Sequence, residues 1–375
     1  MSEPTTNQQS PMRVIISGGG TGGHIFPAVA IANELKTIDP RTEILFVGAE
    51  GKMEMQKVPQ AGYRIVGLPI AGIRRELTLS NLAFPFKLTN SLWKARGVVK
   101  AFRPDVAVGV GGYASGPLLF AAGRNGVPTL IQEQNSYAGL TNKWLAGKAS
   151  TICVAYEGME KFFPKEKIKL TGNPVRKDIA LGGNKRAEAL AFFGLSANKQ
   201  TLLVIGGSLG ARTINESLEA GIGQLLEAGH QVVWQTGKGF IERATALAAS
   251  LSNENAKVFE FITAMDLAYA VADAVVSRAG ALSVSELCLV GKPAILVPFP
   301  FAAEDHQTQN ALALVRRQSA LLIADAEAKE KLIPAALALL ADEAKRKELS
   351  QNIRQSARPE AARTIAEEVR KLAGL

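Results

Sequence analysis

Cysteine and histidine are scarce in this chain: two and three residues, respectively, among 375. Cys153 lies in TICVAY and Cys288 in ELCLV, both apolar runs, so both read as buried thiols. That excludes a disulfide framework and a cysteine-based metal site. Long apolar runs are also missing: no window offers the roughly 18 uninterrupted apolar residues a membrane-spanning helix needs. The first residues, MSEPTTNQQSP, are polar, contain Glu3 and have no apolar core, so no secretory signal is expected and the chain is expected in the cytoplasm. Neither a helix-turn-helix pattern nor an aromatic RNA-binding motif is found, so no nucleic-acid partner is expected despite the basic balance.

What the chain has is ample core material, 47% hydrophobic against 21% charged residues. Its length suits two domains of about 100–200 residues each. The net charge of +9 is uneven. Residues 1–175 carry 20 Lys and Arg against 12 Asp and Glu, and the remainder carries 23 against 22. The basic excess thus belongs to the first half, where an anionic membrane surface, an acidic substrate or nucleic acid could each account for it.

Apolar runs without clean alternation recur between helical patterns. MRVIIS (Met12 to Ser17), EILFVGA, Asp105 to Val110, VPTLIQEQN and TICVAY read as strands of the first half. TLLVIGG, HQVVWQTG, KVFEFI, DAVVS and KPAILVPFP read as strands of the second. Strands that are apolar throughout belong to parallel sheets covered on both faces. RVIISGGGTGG and TLLVIGGSLGA look like two copies of one strand–glycine-loop–helix plan. The expected architecture is α/β: two Rossmann-like parallel-sheet domains facing a cleft. The expected boundaries are 12–175 and 176–358, with the end of the chain, 359–375, packing back on the first domain. The last amphipathic stretch, Ala326 to Leu375, is expected to break at Pro334 and Pro359.

The loops at the strand ends carry the chemistry. SRAGALSVSE, Ser277 to Glu286, puts small residues at a helix start, where unpaired N–H groups and a partial positive charge suit a diphosphate. Arg278 adds a charge before it, and Glu286 suits either the hydroxyls of a ribose or plain helix-dipole neutralisation. Gly18, Gly20 and Gly23 formally match a dinucleotide fingerprint, which leaves a nicotinamide-dependent oxidoreductase open as a rival. The additional Gly19 and Gly22, with His24 at the helix start, favour a backbone surface for phosphate or sugar with His24 as a candidate base. GGYASG offers further backbone N–H groups, and QEQN, Gln132 to Asn135, places polar residues at another strand end. Arg176 in GNPVR and Ser208 in GGSLGA are candidates for a diphosphate, with a linker charge and helix capping as the ordinary alternatives. Gln307 and Asn310, three apart in AEDHQTQNA, would share a helix face and suit sugar hydroxyls.

Taken in order, GGGTGGH, GGYASGP, QEQN, TGNPVR, GGSLGA, SRAGALSVSE and DHQTQNA resemble the MurG-type UDP-N-acetylglucosamine glycosyltransferases of the two-domain GT-B fold. The resemblance covers nearly the whole chain after the N-terminal tail. It implies inverting transfer of N-acetylglucosamine from UDP-N-acetylglucosamine to the 4-hydroxyl of the N-acetylmuramoyl-pentapeptide of lipid I, the undecaprenyl-pyrophosphoryl acceptor, forming lipid II. By motif, donor contacts would fall to Thr21, Gly22, Gly23, Asn135, Arg176, Ser208, Ile262, Ala281, Leu282, Ser283, Val284, Ser285, Glu286 and Gln307. Gly19, Gly111, Gly112 and Tyr113 would serve the acceptor, and His24 is the base candidate. No Asp-x-Asp pair occurs in these motifs, so neither metal nor cofactor is expected. The lipid-anchored acceptor would explain the stretch from Arg74 to Arg103, where seven Lys and Arg and one acid, Glu76, interleave with Leu79, Leu82, Phe84, Phe86 and Trp93. Such a stretch suits peripheral attachment to an anionic bilayer, here at the cytoplasmic face of the inner membrane. A GT-B transferase with a soluble or glycolipid acceptor is the alternative.

Overall fold

The computed structural model describes residues 10–70, 84–175, 179, 185–207, 209–251 and 253–375. Two compact units make up the chain: Met1–Gln134, Ala138–Pro174 and Glu360–Leu375 form one, and Asn135–Tyr137 with Val175–Pro359 form the other.

The first unit runs β1 (Arg13–Ser17), α1 (Gly22–Ile38), β2 (Glu43–Ala49), α2 (Glu54–Gln60), β3 (Arg64–Leu68), α3 (Phe84–Phe102), β4 (Val106–Gly109), α4 (Ser115–Arg124), β5 (Thr129–Glu133), α5 (Leu140–Ala146), β6 (Thr151–Val154) and β7 (Ile168–Leu170). Its seven strands lie parallel in the order β3-β2-β1-β4-β5-β6-β7. The apolar runs are needed because both faces are covered. Ile15, Ala107, Ile131 and Ile152 pack with Leu118, Leu119 and Val99 on one side. Their neighbours Val14, Ile16, Val106, Val108 and Leu130 pack with Ile31 and Leu35 on the other. Adjacent strand residues point to opposite faces, so an all-apolar strand satisfies both layers at once.

The second unit continues with α6 (Arg186–Phe193), β8 (Thr201–Ile205), α7 (Arg212–Glu227), β9 (Gln231–Gln235), α8 (Ile241–Ser250), β10 (Ala256–Phe259), α9 (Met265–Val271), β11 (Ala274–Ser277), α10 (Ala281–Val290), β12 (Ala294–Leu296), α11 (His306–Val315), β13 (Leu321–Leu322), α12 (Ala328–Ala341) and α13 (Glu343–Arg354). Six parallel strands take the order β10-β9-β8-β11-β12-β13. In both sheets the order reverses direction beside the first strand of the unit, which creates the crevice at the carboxyl ends where open α/β sheets bind ligands. The core joins Leu202, Val204, Trp234 and Val276 to Leu218 and Ile222 of α7 and Leu332 and Ile333 of α12. Gly221 lets those two helices approach, since a methyl there would stand 2.5 Å from Ile333.

The break expected at Pro334 does not occur: Pro334 lies inside α12, and the helix ends at Ala341. Asp342 then starts the next helix, its carboxylate accepting the Lys345 N–H at 2.8 Å, so a capping acid rather than the proline divides the segment. The last helix, α14 (Ala361–Leu372), belongs to the first unit, where Ile365, Ala366 and Val369 join the core beside α1.

Candidate functional site

In the first unit the glycine loops after β1 and β4 touch. The Gly19 N–H donates to the Gly111 carbonyl at 3.3 Å. Gly112, at φ +89, passes so close that a methyl on it would sit 2.4 Å from the Gly19 oxygen, so glycine is required for both shape and backbone angle. His24 stands in the first turn of α1, after the exposed Thr21. Its ring packs on Gly111, whose added methyl would lie 2.6 Å from the imidazole. His24 Nδ1 is 3.0 Å from the Gly19 carbonyl. A carbonyl can only accept, so in the neutral ring the proton sits on Nδ1 and Nε2 carries the lone pair. Gly19, Gly22, Gly23, His24, Gly111, Gly112 and the half-exposed Tyr113 thus gather at one edge of the first sheet.

The QEQN motif behaves differently from a solvated loop. Gln132, Glu133 and Gln134 are buried. Gln132 donates to Asn173 Oδ1 at 3.0 Å, Asn173 donates to the Gln134 carbonyl at 2.9 Å, and Gln134 donates to the Val110 carbonyl at 2.7 Å. Glu133 accepts from the Gly139 N–H and from Asn142 at 3.0 and 2.8 Å. These side chains stitch the strand end together. Asn135, expected with the first half, groups instead with the second unit. There Asn310 donates to Asn135 Oδ1 at 3.2 Å and accepts from the Ser136 N–H at 2.9 Å. Asn310 is fully buried and donates to the Ala279 carbonyl as well. Its amide is therefore occupied by the fold, and it is no reader of sugar hydroxyls.

The carboxyl edge of the second sheet carries the other half of the predicted residues. Gly280 precedes α10 without any side-chain cap. The first bond of the helix ladder runs from the Val284 N–H to the Gly280 carbonyl at 2.9 Å. Ala281, Leu282 and Ser283 therefore form the turn whose N–H groups have no carbonyl one turn earlier, the geometry that receives an anion. Val284 turns its side chain into the core, and Ser285 donates back to the Ala281 carbonyl at 2.9 Å. Glu286, one turn on, accepts from the buried Tyr269 hydroxyl at 2.9 Å.

Arg278 does not add its charge to this helix start. Its guanidinium is buried, paired with Asp325, and donates to the Val297 and Pro298 carbonyls at 3.0 and 3.1 Å. Phe299 covers it, 5.5 Å from the ring centre. It braces the loop after β12, and so does Gln307, whose Oε1 accepts the Phe299 N–H at 3.0 Å. Ile262 has its N–H engaged by Gln235 Oε1 at 2.9 Å, and Gln235 also donates to the Gly207 carbonyl at 3.0 Å. Arg176 and Ser208 lie outside the described residues, as do Arg74, Arg75, Glu76, Leu79 and Leu82. Glu54, Gln235, Tyr269 and Asp325 escaped the sequence reading, because each acts through a partner distant in sequence and no local pattern marks it.

Two family models match: the glycosyltransferase family 28 N-terminal domain over residues 14–154 and its C-terminal domain over residues 201–367. The chain belongs to glycosyltransferase family 28. Relatives support this over nearly the full length. A Bacteroides fragilis protein named UDP-N-acetylglucosamine--N-acetylmuramyl-(pentapeptide) pyrophosphoryl-undecaprenol N-acetylglucosamine transferase is 58% identical over 98% of this chain and 97% of its own. A Flavobacterium psychrophilum protein of the same name is 54% identical over 96% of this chain and 97% of its own. Among solved structures, the MurG of Acinetobacter baumannii is 30% identical, with a TM-score of 0.78 over 96% of this chain and 100% of that one. A UDP-GlcNAc 2-epimerase from Neisseria meningitidis bound to UDP-GlcNAc shares the fold alone, at 15% identity and a TM-score of 0.67 over 96% of this chain and 100% of that one. The chain is thus a glycosyltransferase built from two Rossmann-like parallel-sheet units, the GT-B class.

Proposed function

We propose that this glycosyltransferase moves N-acetylglucosamine from UDP-N-acetylglucosamine to the 4-hydroxyl of the N-acetylmuramoyl-pentapeptide on undecaprenyl pyrophosphate, with inversion at the anomeric carbon. The observation that carries this reading is the 58% identity over 98% of the chain to a transferase of that name. In this reading the start of α10 receives the donor diphosphate, and Glu286 accepts the ribose hydroxyls. Ile262, Gln307, Arg176 and Ser208, with Thr21, Gly22, Gly23 and Asn135, complete the donor contacts. Gly19, Gly111, Gly112 and Tyr113 meet the acceptor.

The chemistry is a direct displacement. The acceptor oxygen attacks the anomeric carbon, the bond to the UDP oxygen breaks, and the acceptor proton passes to a base. His24 is the base in this reading, because the Gly19 carbonyl fixes its Nδ1 and directs the lone pair to Nε2. Negative charge grows on the departing diphosphate, where helix N–H groups already aligned need no reorganisation. Thermal stabilisation by UDP-N-acetylglucosamine should exceed that by UDP-glucose, UDP-N-acetylgalactosamine and NADH. A larger shift with NADH would return the chain to the oxidoreductase reading.

The same reading needs access to a lipid-anchored acceptor. No helix among the described residues is long and apolar enough to cross a membrane. Phe86 and Trp93, seven residues apart on α3, are 80% and 79% exposed, and Lys87, Lys94, Arg96 and Lys100 share that helix. Apolar anchors among cations attach a protein peripherally to an anionic leaflet, each Lys or Arg near the surface contributing about 1 kcal/mol. In this reading the chain works at the cytoplasmic face of the inner membrane. Vesicle flotation checks this: binding should require anionic lipid and weaken in Trp93→Ser, whereas equal binding to neutral vesicles would defeat the electrostatic part.

A further inference from the structure

Glu54 is a buried acid that the reaction as described does not use. It retains 1% of its surface exposure, and among the described residues two backbone N–H groups hold it rather than a cation. Its Oε1 accepts from Ala49 at 3.0 Å and its Oε2 from Gly20 at 2.8 Å. Burying an ionised carboxylate is strongly unfavourable unless such bonds compensate, and bonds to a charged acceptor are among the stronger ones. The carboxylate therefore ties the end of β2 to the glycine loop after β1.

The loop is shaped around it. A methyl on Gly19 would stand 2.2 Å from Glu54 Oε1, so the backbone of Gly19 lies directly against the carboxylate. The carbonyl of that residue meets His24 Nδ1 at 3.0 Å, and its N–H reaches the Gly111 carbonyl at 3.3 Å. Two hydrogen bonds, joined by the Gly19–Gly20 peptide group, thus lead from Glu54 to the imidazole.

We propose that Glu54 is a positioning residue: it fixes the Gly19 carbonyl, and through it the tautomer and orientation of the His24 ring. Glu54 itself takes and gives no proton. The inference rests on the reading of His24 as the base and extends it to a residue on α2, one that touches neither substrate in that reading.

Glu54→Gln keeps the size of the side chain but turns an NH2 toward one of the two backbone donors. In that variant kcat should fall at least tenfold while the Kd for UDP stays within twofold. Losing a well-placed acceptor for Nδ1–H disfavours the imidazolium, so the acid limb of the kcat–pH profile should move to lower pH. In a His24→Ala background the same change should cost no further rate. Unchanged kcat, a parallel loss of UDP affinity, or losses that multiply in the double variant would each overturn the proposal. A near-normal rate in His24→Ala alone would remove the base and this inference with it, and that outcome shows in a protein whose Glu54 is intact. Should Glu54→Gln fail to fold, nitrogen NMR of the unaltered protein decides: the neutral His24 ring must carry its proton on Nδ1, and a proton on Nε2 refutes the positioning role.

Discussion

Replacing Tyr269 with Phe isolates one hydroxyl at the proposed donor site. Tyr269 is 1% exposed, and its hydroxyl donates to Glu286 Oε2 at 2.9 Å. Phe fills nearly the same volume, so the perturbation is the lost bond rather than a cavity. A hydrogen bond to a charged group contributes about 1.5–3 kcal/mol to stability, and the unfolding free energy of the second unit should drop by that amount. The effect on ligand has a different origin. In the proposed reading Tyr269 holds Glu286 in place before nucleotide arrives; without it, binding must order that side chain, at about 0.5–1.5 kcal/mol. The Kd for UDP should therefore rise about 2- to 13-fold, each 1.4 kcal/mol being tenfold. Isothermal titration with UDP and with 2′,3′-dideoxy-UDP reads this directly. The loss should appear for UDP, shrink for the dideoxy ligand and vanish in a Glu286→Ala background. Equal losses for both ligands, or an undiminished loss in the Glu286→Ala background, would refute the reasoning.

Arg278→Met leaves the partly buried Asp325 without its cation, a change that costs up to about 3–5 kcal/mol. Denaturant unfolding of the second unit should show it, and Arg278→Met/Asp325→Leu should recover part of the loss. Gly280→Ala tests whether that glycine serves the fold or a ligand: its backbone angles are ordinary and a methyl would meet nothing nearer than 3.8 Å. Melting should therefore stay within about 0.5 kcal/mol of the parent while UDP affinity drops; an equal loss of both would assign the glycine to the fold. Lys292 supplies a pH test, because burial pushes its ammonium down from 10.5 to about 8 while its Nζ donates to the Ala272 carbonyl at 2.7 Å. The native group releases its proton at lower pH than the unfolded one, so the unfolded chain binds more protons between about pH 8 and 10.5. Stability should rise with pH across that window, by on the order of 3 kcal/mol. Lys292→Met should flatten the rise, and an unchanged slope would count against the burial argument.

The sheets and the loop before α10 were readable locally because their signals are local. RVIIS and TLLVI announce strands covered on both faces, and the structure places Ile15 and Ile16 in opposite layers. SRAGALSVSE announces a helix start by its small residues, and α10 begins at Ala281. What stayed hidden depends on tertiary partners. Arg278 looks like an anion ligand until Asp325, 47 residues on, is seen to pair with it. Asn310 looks like a surface amide until Asn135 and Ser136 are found against it. Nothing local in GKMEMQKVPQ marks Glu54, and only the returning glycine loop explains its burial. Pro334 misled for a different reason, since the helix carries it without ending and the real boundary is the cap at Asp342.

The most direct measurement mixes the protein with UDP-N-acetylglucosamine and undecaprenyl-pyrophosphoryl-N-acetylmuramoyl-pentapeptide in anionic vesicles, and follows product by mass and by NMR of the new anomeric centre. One N-acetylglucosamine should be added at the 4-hydroxyl, with inverted configuration and one UDP released per product. Retained configuration, or tight UDP-N-acetylglucosamine binding with no transfer to this acceptor, would contradict it.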